Sequence, residues 1–75
     1  MLEKMNTIIL FRTTRDVIKA DRLGNDCGLH PMVRPVPVRI AAQCGMCIEV
    51  SGDETTSFIE LMNRNAIEMR IYEEF

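Results

Sequence analysis

Met5-Asn6-Thr7-Ile8-Ile9-Leu10-Phe11 is the segment that most restricts what this chain can become. Its apolar residues fall on both faces of an extended strand. Such a strand belongs inside a sheet, with neighbours along both edges and cover above and below. Thr13-Thr14-Arg15-Asp16 follows at once and reads as a helix start. A threonine cap accepts from the third helical N–H, and an acidic residue suits the positive first turn. Val17, Ala20, Leu23, Gly24 and Cys27 then recur at spacings of three and four, which predicts one buried stripe. Gly28 stands where a helix takes its left-handed terminal residue.

The remaining punctuation completes the order. Leu29 to Arg34 reads as a second strand, held to an edge by Pro31, which has no N–H for an inner ladder. Pro35-Val36-Pro37 stiffens its exit, and Val38 to Gln43 is a connection without a clear period. Met46 to Val50 alternates as a third strand, with Met46, Ile48 and Val50 on one face and Cys47 and Glu49 on the other. Ser51-Gly52-Asp53 turns into a second helix with Phe58, Leu61 and Met62 inward, ending near Asn65. Ile67, Met69 and Ile71 alternate with Glu68, Arg70 and Tyr72 in a last strand.

A β-α-β-β-α-β order within 75 residues gives one α+β domain over residues 1–75. It predicts a ferredoxin-like sandwich, a four-stranded antiparallel sheet with strands one and three central and both helices on one face. The helices should cover Met46, Ile48, Val50, Ile67, Met69 and Ile71. Cys47, Glu49, Glu68, Arg70 and Tyr72, together with Ile9 and Phe11, are expected on the open face. A mixed patch of this kind suits a homodimer or docking surface.

Composition narrows the function classes. A net charge of −2 with no basic block, and only three Phe and one Tyr, argues against nucleic-acid binding. No run approaches the ~18 apolar residues that cross a bilayer. Met1-Leu2-Glu3-Lys4 and the short apolar run after it do not make a secretion signal. Three cysteines, an odd number, fit free thiols in a reducing compartment, so a cytoplasmic location is expected. There is no phosphate loop, dinucleotide fingerprint or paired-carboxylate spacing, and no cofactor is implied.

Chemistry therefore points to sulfur. In this topology the connection between strands two and three lies at the same end as the start of the first helix. Cys44 is thus placed near the N–H groups of Thr13 to Arg15, with Arg12, Arg34 and Arg39 as neighbouring cations. Helix N-termini favour thiolates, the nucleophilic form. A second interpretation treats Cys44 as a small apolar residue packed at a strand start. Cys47 completes C-x-x-C, but it sits in a strand and not at a helix start. Two cysteines are half a zinc site, Cys27 reads as core and His30 as solvated, so no metal site is expected.

The corner Phe11-Arg12-Thr13-Thr14, with Ala20-Asp21-Arg22-Leu23, Gly28-Leu29, and Pro35-Val36-Pro37 followed by Cys44-Gly45-Met46, carries a resemblance. From Thr7 to Tyr72 the chain resembles the family of selenium/sulfur carrier-like proteins. The family's usual basic residue after the second proline is Val38 here, with Arg39 one position later. The resemblance implies that Cys44 accepts a sulfane sulfur or selenium atom as a persulfide or selenopersulfide. Gly45 would leave room for the donor, Thr13 and Thr14 would stabilise the anion with Arg34 and Arg39, Pro35 and Pro37 would hold the loop, and Cys47 could resolve the product. The partners implied are a donor of the cysteine desulfurase or selenocysteine lyase type and a downstream acceptor protein. Such a chain is a carrier more than a catalyst. The alternative is a ferredoxin-like interaction or regulatory module with incidental cysteines.

Overall fold

A computed structural model of the chain describes residues 6–40 and 44–74. Met5, the opening Met1-Leu2-Glu3-Lys4 and residues 41–43 of the β2–β3 connection lie outside the described residues. The elements run β1 (Thr7–Phe11), α1 (Thr14–Asp26), β2 (Met32–Pro35), β3 (Met46–Val50), a 3-10 turn (Gly52–Glu54), α2 (Thr55–Arg64) and β4 (Met69–Glu74). Their sheet order is β2-β3-β1-β4, with β1–β3, β1–β4 and β2–β3 all antiparallel. This is the ferredoxin-like arrangement, and its cause is visible in β1: all five of its residues are buried, so it takes a central place.

Alternation along β1 separates two apolar clusters. Ile9 lies opposite Ile48 and Leu10 opposite Cys47, and residues directly opposite share a face. Ile9 and Phe11 consequently join Ile48 and Val50 beneath the helices, with Val17 and Ala20 from α1 and Phe58, Leu61 and Met62 from α2. The expectation that Ile9 and Phe11 sit on the open face is corrected by this register. Ile8 and Leu10 occupy that face instead, with Cys47. The face is also less open than the strand pattern predicts, because Ile40 and Val36 from the β2–β3 connection fold over it. Ile71 departs too: it is 45% exposed on the edge strand β4, beside a bulge where the β1–β4 register shifts.

Both helices end in the same motif. In α1, Gly28 N–H donates to Asn25 and Leu29 N–H to Gly24; in α2, Ala66 N–H donates to Asn63 and Ile67 N–H to Met62. This paired bonding is the Schellman termination, which needs a left-handed residue after the cap. Gly28 supplies it at φ 81°, whereas Ala66 is forced to φ 56°. Cys27 is the C-cap of α1 and is exposed. Its expected place on the buried stripe is lost because the chain leaves helical geometry one residue too early.

The second strand starts later than the pattern suggests, at Met32, and Pro31 is buried before it. Pro31 packs on α1. A Cβ built on Gly24 would fall 2.9 Å from Pro31 Cγ and 3.2 Å from Phe58 Cε1, so this glycine sets the approach of α1 to both. His30 fixes the same connection: its N–H and its ring Nδ1 both meet Glu54, each at 2.7 Å. The hydrogen bonds from His30, the side-chain one foremost, hold the Glu54 carboxyl below its usual range.

Two substitutions should move stability in opposite directions to naive helix propensity. Gly24→Ala gains up to ~1 kcal/mol in helix preference but overpacks against a rigid ring at ~1–3 kcal/mol, and is expected to lower the denaturant midpoint. Ala66→Gly removes the left-handed penalty and is expected to raise stability by about 0.5–1 kcal/mol. Urea unfolding of the two variants measures both signs.

Candidate functional site

Cys44 lies at the end of the sheet where β1 meets α1. The β2–β3 ladder continues past the strands, since Val36 N–H donates to Gly45 O at 2.9 Å. Pro37 and Ile40 close a turn through a 3.0 Å backbone bond, and Ile40 is anchored on the sheet. The chain returns through Cys44, whose side chain enters the helix-side core at 5% exposure. Its Sγ receives the Met46 N–H at 3.4 Å and lies 3.5 Å from Thr14 Oγ1. The topology thus brings Cys44 to the first turn of α1, as its order demands.

The neighbouring candidates divide sharply. Thr14 reaches the sulfur. Thr13 does not, because its hydroxyl accepts from Asp16 N–H at 3.1 Å as the helix cap. Arg34 lies opposite Cys47 in the ladder, and its Nε bonds Glu49 Oε1 at 2.7 Å on the other side of the sheet. Arg12 pairs with Glu68 in the open, and that carboxylate raises its pKa further. Arg39 is exposed on the Pro37–Ile40 turn. Pro35 ends β2, and Pro37 begins the turn, so both prolines brace the connection that carries Cys44.

Gly45 is the most informative neighbour. It is exposed, its φ is not in the left-handed region, and among the described residues a Cβ built on it meets nothing within 4 Å. Packing calls for a glycine at 24 and the left-handed backbone favours one at 28, whereas neither reason applies at 45 among the described residues. The position next to Cys44 in the chain is thus uncrowded by any described residue.

Cys47 is a different kind of thiol. It is 1% exposed in the cluster on the opposite face, and its Sγ–H points to Pro35 O at 3.8 Å. Burial, reinforced by the Glu49 carboxylate and opposed by Arg34, pushes its pKa up. C-x-x-C spacing thus spans the sheet and sends its two sulfurs to separate faces, which does not suit Cys47 to resolve a product on Cys44. Cys27, at the far end of the 13-residue α1, is about 20 Å away by helix rise. Among the described residues no group of three or more His, Cys, Asp or Glu is placed to hold a metal ion. No helix among them is long and apolar enough to cross a membrane.

Residues missed by the sequence pattern are Ile40 and Val36, which carry the loop across the sheet. Their apolar character was the available signal, but a single anchor in an aperiodic stretch has no period to reveal it.

A split β-α-β sandwich with one core-facing thiol at the helix start defines a small α+β thiol protein. The chain belongs to the family described as "putative Se/S carrier protein-like", whose model matches residues 6–73. No curated protein and no solved structure shows significant similarity to it.

The three thiols should separate under native alkylation. Cys27 is expected to react first, Cys44 at least roughly tenfold more slowly through local opening, and Cys47 most slowly even near pH ~8.5. Peptide mass spectrometry of iodoacetamide time courses reads the order; Cys47 reacting ahead of Cys27 would contradict the burial pattern.

Proposed function

We propose that the protein carries one sulfane sulfur or selenium atom on Cys44 and passes it between proteins. The observation that supports this reading best is the combination at one point of a thiol, a backbone N–H that donates to it, a hydroxyl that can donate to its anion, and a glycine that no described residue requires. In the loading step the Cys44 thiolate attacks the outer sulfur of a donor persulfide. The donor's S–S bond breaks, its own sulfur leaves as a thiolate, and a new S–S bond forms on Cys44. The proton released when the Cys44 thiol ionises is taken up by the departing thiolate, and no external oxidant or reductant enters. Delivery is the same exchange in reverse, with the recipient thiolate attacking the outer atom and Cys44 leaving. With selenium as the outer atom the electron count is unchanged.

Thr14 O–H and Met46 N–H stabilise Cys44 whenever it is the anion, as attacking or leaving group. Hydrogen bonds to a charged partner contribute about 1.5–3 kcal/mol. Gly45 lets a partner's backbone and cysteine come close to a sulfur that stands behind the surface.

The burial of Cys44 favours one competing interpretation, an interaction module in which the thiol only fills the core. Incubation with a cysteine desulfurase or a selenocysteine lyase and its substrate, followed by anaerobic peptide mass spectrometry, separates the two. The carrier gains one chalcogen atom on Cys44 and none in Cys44→Ala; no gain, or equal gain on all three cysteines, supports the module. Thr14→Val is expected to slow loading by roughly 10- to 100-fold with little loss of stability. Gly45→Ala should leave the unfolding midpoint unchanged or slightly higher while slowing loading by the protein donor.

A further inference from the structure

The net charge of −2 conceals an uneven placement. Strand registers define two ends of the sheet: Phe11, Pro35, Met46 and Met69 mark one, and Thr7, Met32 and Val50 mark the other. Cys44 stands two residues before Met46 and touches Thr14, so it belongs to the first end. Outside the strands, the loops and helix ends there carry Arg12 at the corner after β1, Arg15 in the first turn of α1, Arg39 on the Pro37–Ile40 turn and Arg64 at the close of α2. All four are exposed. Asp16 and Glu68 are the acids there, so four positive charges against two negative leave +2. The opposite end holds Asp26, Asp53 and Glu54, a charge of −3, with no Lys or Arg among the described residues of its loops.

We propose that the Cys44 end is a docking surface for a protein whose reactive sulfur is rimmed by carboxylates. This deepens the carrier reading and rests on it for the nature of the exchange. The positive end steers such a partner, and the negative end turns it so that it meets Cys44 first. Gly45 gives the point of closest approach. A nucleic acid fits less well. Among the described residues Tyr72 is the exposed aromatic, and it lies further along β4, away from Arg12, Arg15, Arg39 and Arg64; an extended polyanion would also meet the acidic half.

The test uses two peptides joined to thionitrobenzoate by a disulfide, one with glutamates flanking its cysteine and one with lysines. Cys44 thiolate attacks the peptide sulfur, the old S–S bond breaks, a Cys44–peptide disulfide forms and thionitrobenzoate leaves with the electron pair. Any opening needed to expose Cys44 is common to both peptides and cancels in the ratio of their rates. The acidic peptide is expected to react roughly tenfold faster at Cys44 at low ionic strength. That preference should fade toward unity at ~1 M salt, where the screening length is about 3 Å. Cys27, at the acidic end of the same molecule, should show the reverse preference. Arg15→Glu should reduce the ratio at Cys44, whereas Lys19→Glu, an equal charge change in mid-helix, should not.

A ratio at or below one for Cys44, or a ratio indifferent to Arg15→Glu, overturns the proposal. Arg15-dependent retention of single-stranded DNA at salt that abolishes the peptide preference also overturns it, in favour of a nucleic acid. The charge preference without any chalcogen loading would sink the carrier and leave the surface; loading without the preference would do the opposite.

Discussion

Burial of β1 on both faces is the constraint from which the remaining arrangement follows. A five-residue strand with every side chain buried cannot stand at an edge, so β3 and β4 must flank it and helices must cover one side. Once β3 is paired in the register that sets Leu10 against Cys47, alternation sends Cys47 to one face and its neighbours in the sheet to the other. Cys44, just outside the ladder, is free of that alternation and turns into the helix-side core. The difference between the two thiols is thus decided by backbone pairing, long before any property of sulfur enters.

Legibility in the sequence follows the range of the interactions. Helix caps and strand alternation are local, and Thr13, Gly28, the Phe58–Leu61–Met62 stripe and Met46–Val50 could be read directly. Placement of Cys44 beside the start of α1 was also legible, because it depends only on element order and handedness. Cys27 was misplaced because a Schellman end depends on a single dihedral at the next residue. Ile9 and Phe11 went to the wrong face because pattern within a strand fixes alternation but not which half faces the helices; only the partner strand decides that. The cover supplied by Ile40 and Val36 comes from an aperiodic loop, where a buried side chain and an exposed one look alike.

Arg34 shows the same limit at the site. Its position one residue before Pro35 puts it at the correct end of the sheet, and proximity in sequence suggests a role beside Cys44. Pairing opposite Cys47 gives its side chain to the other face, where Glu49 binds it. An ion pair of this kind, half in solvent, contributes little to stability. It does remove a cation from the sulfur and fixes the charge beside Cys47, where it opposes the effect of burial.

Glycines distinguish what the fold asks for from what it merely tolerates. At 24 a side chain would collide with Pro31, and at 28 the backbone is left-handed, so packing or geometry explains each. At 45 neither does. Among the described residues nothing requires position 45 to be small, next to a sulfur that the chain has drawn inward, and the carrier reading proposed above would give the reason as a partner's approach. Burial and access then cease to conflict. The Met46 N–H, the Thr14 hydroxyl and apolar walls hold Cys44 in one orientation; in the carrier reading proposed above, the missing side chain at 45 is the direction of approach, and reaction would depend on a partner that fits it more than on thiol exposure in solution.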